Sequence, residues 1–170
     1  MTYMGNCCKK YMFCVYKSNE NNINNIGNID HKNIPKYVPE INEGKVINVY
    51  DGDTITIAGF IKHNPKLFKF SVRLNNIDCP EIKSKKSEDK TEYEIAVRAK
   101  NYVQDLIFNE IVHLKNVKLD KYGRLLADVY FNNQNISDLL LLNNLAVQYG
   151  GKTKKVPKNW KNYNETGIMD

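Results

Sequence analysis

Long apolar runs are missing from this sequence of 170 residues. No stretch approaches the roughly 20 consecutive apolar residues that a membrane-spanning helix requires. An integral channel or transporter is therefore excluded. A hydrophobic content of 42% is still enough to build the core of one small domain.

Cysteine and histidine are also scarce, with four and three residues respectively. Cys7, Cys8 and Cys14 crowd the N-terminus, and Cys79 stands alone further along the chain. Because there is no Cys-x-x-Cys pair and no Cys/His cluster, we expect neither a disulfide framework nor a zinc site. We expect reduced thiols and a cytoplasmic location, since no secretory cleavage site follows the short apolar stretch at residues 11–16.

Basic residues outnumber acidic ones, 25 to 19, which gives a net charge of +6 and a pI near 9.0. Such a balance favours a polyanionic partner, either nucleic acid or an anionic membrane surface. No heptad pattern or apolar surface stripe indicates a protein partner, so we expect a monomer.

Residues 1–43 differ from the rest of the chain, because residues 19–33 are rich in asparagine and contain few apolar residues. A polar tract of this kind buries too little surface to offset its ordering entropy. The sequence therefore predicts a flexible leader before the folded domain.

A Met-Gly-Asn-Cys-Cys sequence begins at Met4 within this leader. If translation started there, the pattern would favour myristate on Gly5 and palmitate on Cys7 or Cys8. Two lipid chains would anchor the protein to a membrane surface. The alternative is an unmodified leader, because Lys9 occupies a position where the motif prefers serine or threonine.

Residues 44–152 are predicted to form the folded domain, because short alternating segments separated by turn signals dominate them. The segments with the alternation of β-strands are residues 45–50, 54–58, 67–74, 111–117 and 125–131. A capping box at residues 91–94 precedes a long helix, and a shorter helix is predicted at residues 137–142. A long helix between the third and fourth of five short strands indicates a β-rich α+β fold, a small closed barrel with two to three helices.

Residues 153–170 form a basic tail that contains Trp160 and Tyr163. Its lysines could contact phosphates, and Trp160 could stack on a base, if the partner is a nucleic acid. The alternative is a cationic tail that stays disordered.

Three polar clusters stand out along the domain. Residues 51–54 read Asp-Gly-Asp-Thr, which alone is a hairpin turn signal. Residues 73–81 contain the pattern Arg-x4-Asp-x2-Glu with proline before the glutamate, which alone could be a surface salt-bridge cluster. Residues 120–124 read Asp-Lys-Tyr-Gly-Arg, which alone could be a charged turn.

Together, the three clusters contain the groups needed for attack of water on a phosphodiester. Asp53 and Asp78 could hold a hard divalent cation, because such ions prefer carboxylate oxygens. Arg73 and Arg124 could each grip phosphate oxygens with two N–H groups. Glu81 is left as a general base close to the bound phosphate.

The clusters, in this order and spacing, resemble the staphylococcal nuclease (thermonuclease) family over about residues 45–152. The resemblance implies a five-stranded OB-fold barrel. It also implies that Asp53 and Asp78 bind a catalytic Ca²⁺ together with the backbone carbonyl of Cys79. The founding member of the family has threonine at that last position, but only the carbonyl would contact the ion.

The resemblance further implies roles for the remaining polar residues. Glu81 would activate water, and Arg73 and Arg124 would stabilise the charge that builds on the pentacoordinate phosphorus. The residues implied to contact the bound nucleotide are Lys121 and Tyr122, beside its phosphate or ribose, and Tyr149, whose ring would face a base.

The resemblance thus implies a Ca²⁺-dependent nuclease that cuts DNA and RNA with little sequence preference and leaves 3′-phosphate and 5′-hydroxyl ends. The alternative is a non-catalytic OB-fold module that binds single-stranded nucleic acid or a protein partner, as some members of the wider family do. Such members have typically lost catalytic residues. This chain retains the two metal-binding aspartates, both arginines and the glutamate, which favours the enzyme.

Overall fold

The computed structural model describes most of the chain, namely residues 32–82, 90–151 and 155–169. The residues of the predicted lipidation motif, Gly5, Cys7 and Cys8, lie outside these ranges. The chain divides into two compact units, Met1–Lys36 and Tyr37–Asp170, and every strand and helix named below lies in the second.

Within the described residues, the chain forms eight strands and three helices. The strands are β1 Glu43–Asp51, β2 Thr54–Phe60, β3 Leu67–Leu74, β4 Ile77–Asp78, β5 Ile111–Leu119, β6 Leu125–Phe131, β7 Gln134–Asn135 and β8 Val147–Gln148. The helices are α1 Lys90–Ile107, α2 Ile136–Leu142 and α3 Trp160–Thr166. No described helix is both long enough and apolar enough to cross a membrane.

Five of the strands close into a barrel, which confirms the predicted fold. Their hydrogen-bonded order is β3-β2-β1-β5-β6, and β3 also pairs with β6. The β3–β6 pairing is parallel and sets Val72 beside Leu125, whereas the other neighbours in the barrel are antiparallel. Because this pairing joins the two ends of the sheet, the result is a closed, mixed barrel consistent with an OB-fold.

Apolar alternation predicted the strand positions closely. β3 and β6 have the predicted bounds, because part of each strand turns alternate side chains into the core. α1 begins at Lys90, one residue before the predicted capping threonine, Thr91. The shorter helix, α2, begins at Ile136 rather than at Ser137, and the side chain of Asn135 caps it by accepting a hydrogen bond from the backbone N–H of Ser137.

Branched aliphatic side chains from alternate strand positions fill the barrel. Those that are completely buried include Val46, Ile55, Ile57, Val72 and Val112. α1 packs against β1 and adds an apolar stripe at helical spacing, made of Ile95, Ala99, Val103 and Ile107. Burying each of the larger side chains stabilises the fold by roughly 1.5–3 kcal/mol.

The turn between β1 and β2 consists of Gly52 and Asp53. Gly52 does not have a positive φ, so a left-handed backbone is not the reason for glycine here. Glycine is needed because a side chain would not fit. A Cβ at Gly52 would lie 2.7 Å from Cβ of Ala99 and 2.8 Å from Sγ of Cys79. This close packing against α1 and the residue after β4 buries the turn, and Asp53 with it.

Part of the predicted basic tail belongs to the core. Trp160 and Tyr163 face inward from α3 with their rings edge to face at 5.8 Å, and only 4% of Trp160 is exposed. The hydroxyl of Tyr163 donates to the backbone oxygen of Ala146, next to β8. The predicted stacking of Trp160 on a bound base is therefore wrong, and so is a disordered tail for α3. The outer limits predicted for the leader, domain and tail stay predictions.

Candidate active site

Three segments that are distant in sequence meet at one end of the barrel. Antiparallel pairing of β2 with β3 sets Thr54 opposite Arg73. Parallel pairing of β3 with β6 begins at Val72 and Leu125, which brings Arg124, the residue just before β6, to the same place. The site therefore depends on the strand pairing that closes the barrel.

Asp53 is almost fully enclosed, as is Asp78, with only 4% of each residue exposed. Its Oδ1 accepts hydrogen bonds from Thr54 Oγ1 at 2.9 Å and from Arg73 Nη1 at 2.7 Å. Its Oδ2 accepts a hydrogen bond from the backbone N–H of Cys79 at 3.2 Å. Asp53 thereby joins β2, β3 and the residue that follows β4.

Arg73 bridges the two carboxylates predicted to bind a metal. Its Nη1 contacts Asp53, and its Nη2 donates to Asp78 Oδ1 at 2.9 Å. Burial alone would lower the pKa of Arg73, but the negative charges of Asp53 and Asp78 outweigh it and raise that pKa above its ordinary value. The guanidinium is firmly charged, yet 17% of its side chain still faces solvent.

Arg124 is held by its own loop. Its Nε donates to Asp120 Oδ2 at 2.7 Å, and its backbone N–H donates to Asp120 Oδ1 at 2.9 Å. Burial tends to raise the pKa of Asp120, but the hydrogen bonds from Arg124 and from the backbone of Tyr122 lower it overall. Arg124 Nη1 also lies 3.4 Å from Thr54 Oγ1, so Thr54 connects this loop to Asp53.

The residues implied to contact a nucleotide lie at two places. Tyr122 is exposed, with Lys121 Nζ 4.8 Å and the Arg124 guanidinium carbon 5.5 Å from its ring centre. This cationic and aromatic pair stands beside Arg124. Tyr149 follows β8, and its backbone N–H donates to the oxygen of Asn76 at 2.8 Å. Tyr149 also lines a separate cleft of about 620 Å³.

Glu81 is exposed and lies three residues after Asp78 in the sequence. Its backbone N–H donates to Glu92 Oε1 in the first turn of α1, at 3.4 Å. Among the described residues, no hydrogen bond or ion pair joins the Glu81 carboxylate to Arg73 or Arg124. The structure thus gathers both arginines and both aspartates into one bonded network and leaves Glu81 outside it.

Three residues of this network were missed by the sequence predictions. Asp120 and Thr54 both bond to Arg124, and Thr54 also bonds to Asp53. Asp51 adds a third carboxylate, since its Oδ1 accepts from the backbone N–H of Asp53 at 3.2 Å. Burial, and then the charge of Asp53, raise the pKa of Asp51 to about 7. All three residues belong to the motifs already noted, so their position inside a charged motif was the available signal.

The donor set fits a hard cation. Asp53 and Asp78 offer carboxylate oxygens. Burial, and then the negative charge of Asp53, raise the pKa of Asp51, and a bound cation would offset the second of these effects. Burial, and then the nearby carboxylates, raise the pKa of the Cys79 thiol well above its ordinary value. A hard cation also prefers oxygen ligands to sulfur. In the described part of the chain, however, no three His, Cys, Asp or Glu side chains form a metal cluster. Backbone, water or phosphate oxygens would have to complete the coordination.

Comparison with known proteins agrees with this geometry. The sequence profile described as Staphylococcal nuclease homologue matches residues 71–166, more than half of the chain. The chain belongs to the staphylococcal nuclease homologue family. The matched region includes Arg73, Asp78, Glu81 and Arg124, and it extends through α3.

Two relatives resemble much of the chain. The uncharacterised protein MJ1439 of Methanocaldococcus jannaschii is 32% identical over 124 residues, which cover 63% of this chain and 56% of that protein. An uncharacterised endonuclease of Haemophilus influenzae is 34% identical over 110 residues, which cover 65% of this chain and 54% of that protein. The chain therefore spans about half the length of these relatives.

Proposed function

We propose that this protein is a Ca²⁺-dependent nuclease that hydrolyses DNA and RNA with little sequence preference. The observation that carries the proposal is the network in which Asp53 and Thr54 link Arg73 to Arg124 at the end of the barrel. Membership of the staphylococcal nuclease homologue family supports it, as does the endonuclease name of the Haemophilus influenzae relative.

The two arginines would recognise the scissile phosphate. Each is held by a carboxylate at 2.7 Å, Arg73 by Asp53 and Arg124 by Asp120, while 17% and 29% of their side chains face solvent. A guanidinium that is fixed before substrate arrives can stabilise charge on a phosphorane-like transition state without first reorganising. Removing one such group typically costs about 10²- to 10³-fold in rate.

Asp53 and Asp78 would hold the calcium ion, together with the backbone carbonyl of Cys79. When bound, the ion would act as a Lewis acid towards a phosphate oxygen. The oxygen-only donor set and the crowding of Asp51 against Asp53 support this assignment. Lys121 and Tyr122 would contact the adjoining phosphate or ribose, and Tyr149 would contact a base.

Glu81 would act as the general base. Its exposed carboxylate would take a proton from water as the water oxygen forms a bond to phosphorus. The bond from phosphorus to the 5′ oxygen then breaks, and that oxygen takes up a proton. The products are a 3′-phosphate and a 5′-hydroxyl end. The exposed position of Glu81, three residues after Asp78, supports this role.

The test compares the wild-type protein with Glu81→Gln on single-stranded DNA and RNA, with Ca²⁺ or with a chelator. The matched control is Glu110→Gln, which alters an exposed glutamate in the turn between α1 and β5. We expect Ca²⁺-dependent cleavage that falls by about 10²-fold or more in Glu81→Gln and is unchanged in Glu110→Gln. Full activity of Glu81→Gln would show that Glu81 is not the general base.

A further inference from the structure

Asp128 in β6 is a buried carboxylate outside the network described above, with 9% of the residue exposed. Two asparagine amides bind it, one to each oxygen. Asn75 Nδ2 donates to Oδ1 at 2.9 Å, and Asn116 Nδ2 donates to Oδ2 at 2.6 Å. We call Asn75, Asn116 and Asp128 the Asp128 clamp.

The first arm of the clamp, Asn75, lies between Arg73 and Asp78 in sequence. Its backbone N–H donates to the oxygen of Ala127 at 2.9 Å, and its backbone oxygen accepts from Ser137 Oγ at 2.9 Å. With the Asp128 contact, this residue is fixed at three points. The side chain of Arg73 forms an ion pair with Asp78. The conformation of the short segment between these two residues therefore determines where the ion pair lies.

The second arm, Asn116, sits at an irregularity in β5. The register between β5 and β6 shifts between Lys115 and Lys118, and Asn116 has a left-handed backbone with φ 53°. Such a bulge re-aims a side chain, here towards Asp128. Four residues further on, Asp120 begins the loop that holds Arg124.

One carboxylate therefore ties together the two segments that carry the arginines. Asn75 connects Asp128 to the Arg73–Asp78 segment, and Asn116 connects it to the strand that leads into the Arg124 loop. Asp128 is buried, whereas Asn75 is half-buried and Asn116 is exposed. Both oxygens of this buried carboxylate are satisfied, so breaking either bond would leave one of them without its asparagine partner. Neither asparagine nor Asp128 lies among the groups assigned to substrate or metal.

We propose that Asp128 and its two asparagine partners are positioning residues for the phosphodiester hydrolysis, and that the clamp sets the placement of Arg73 relative to Arg124. This positioning role rests on the proposed nuclease function, because that function defines the reaction. The placement of the two guanidiniums, however, is measurable without any turnover.

The kinetic test uses Asn116→Gly, Asn75→Ala and Asp128→Asn. Asn116→Gly is the mildest, because glycine keeps the left-handed backbone and only the amide is lost. Asn133→Gly is its matched control, since Asn133 has φ 64° in the exposed turn between β6 and β7, away from the clamp. Assays run well below each variant's melting temperature separate positioning from stability.

We expect each clamp variant to lower kcat by about tenfold or more, with KM changed by less than about threefold, because small displacements of a catalytic group have large rate effects. The double variant Asn75→Ala with Asn116→Gly should lose less than the product of the two single losses, since both act through Asp128. Asn133→Gly should keep the wild-type kcat.

The second readout is the Nε–Hε NMR signals of the three arginines, Arg73, Arg98 and Arg124. In folded clamp variants, the signals of Arg73 and Arg124 should shift or broaden. Arg98 is the internal reference, because it lies on α1 and bonds to Asn164 at 3.2 Å. Asn133→Gly should leave all three signals unchanged.

The two readouts separate the possible failures. Unchanged signals of Arg73 and Arg124 in a folded clamp variant would overturn the proposal, whether or not kcat falls. Shifted signals with an unchanged kcat would overturn it as well. If the wild-type protein itself cleaves nothing while the clamp variants shift both signals, the proposed nuclease function fails and the placement role of the clamp is supported.

Discussion

Arg73 and Asp53 form a 2.7 Å ion pair at the end of the barrel, in which the carboxylate is almost fully buried and the guanidinium still reaches solvent. The same guanidinium bonds to Asp78, so one cation holds two of the carboxylates expected to bind calcium. This arrangement fixes the arginine and the two carboxylates relative to each other. Changing any member of it should therefore impair catalysis, and removing one charge of this largely buried group should also destabilise the fold.

Replacing Arg73 with lysine tests the bridge directly. A lysine keeps the charge but has a single ammonium group in place of the planar fork that bonds to two carboxylates. We expect Arg73→Lys to lower kcat by about 10²- to 10³-fold in steady-state cleavage assays. Arg98→Lys, on the exposed surface of α1, serves as the control and should keep full activity. Equal losses in the two variants would show that the bridge has no special role.

Thr54 couples the two arginines through its hydroxyl. Thr54→Val keeps the shape of this buried residue but removes the bonds to Asp53 and Arg124. We expect about a tenfold loss of kcat and a decrease of about 1–2 kcal/mol in the free energy of unfolding. The control is Thr56→Val on the same strand, where the residue is partly exposed. A wild-type kcat in Thr54→Val would contradict the coupling.

The raised pKa of Asp51 predicts that the stability of the protein depends on pH. Folding raises the pKa of Asp51 from 3.8 to about 7, mainly through burial. The folded protein then holds this proton more tightly than the unfolded chain, so this group's contribution to stability is lost as the pH rises from about 4 to about 7. In the presence of chelator, Asp51→Asn should be about 1–2 kcal/mol more stable than wild type at pH 8 and similar to it near pH 4.

Urea unfolding across this pH range measures the effect. Asp105→Asn changes an exposed carboxylate on α1 and should show no such pH-dependent gain. A stability difference for Asp51→Asn that stays constant between pH 4 and 8 would be inconsistent with a raised pKa.

Calcium should stabilise the wild-type protein, because a ligand that binds only the folded state raises the melting temperature. Asp78→Asn should abolish the calcium-induced rise, whereas Asp105→Asn should preserve it. Differential scanning calorimetry with Ca²⁺ and with chelator provides the comparison. A rise of the same size in Asp78→Asn would place the ion elsewhere.

Trp160 should matter for stability and not for nucleic-acid stacking, since it is buried in the core. We expect Trp160→Ala to reduce the free energy of unfolding by about 3–5 kcal/mol. Below the melting temperature of the variant, the salt dependence of oligonucleotide binding should match that of wild type. A loss of oligonucleotide binding without any loss of stability would instead indicate that Trp160 stacks on a base.

Local pattern predicted much of the fold, and long-range pairing explains what it missed. β3 and β6 were placed correctly, because part of each strand buries alternate side chains and so leaves a period-two signal. The parallel contact between these strands joins residues about 50 positions apart, as with Val72 and Leu125, and leaves no local signal.

The same distinction applies to the site. Asp53, Arg73, Asp78 and Arg124 stand out as charged residues in short motifs, and the structure brings them together. The role of Thr54 depends on the strand register that brings Arg124 within 3.4 Å of it. The burial of Trp160 likewise depends on where α3 docks, so neither could be read from spacing alone.

The decisive measurement for nuclease activity is the cleavage of a single-stranded DNA oligonucleotide by the folded wild-type protein. The assay compares Ca²⁺ with chelator and identifies the chemical ends of the products. We expect cleavage only with Ca²⁺, giving 3′-phosphate and 5′-hydroxyl ends. Folded, calcium-supplied protein that binds the oligonucleotide without cutting it would contradict the proposed nuclease function and indicate a non-catalytic binding module.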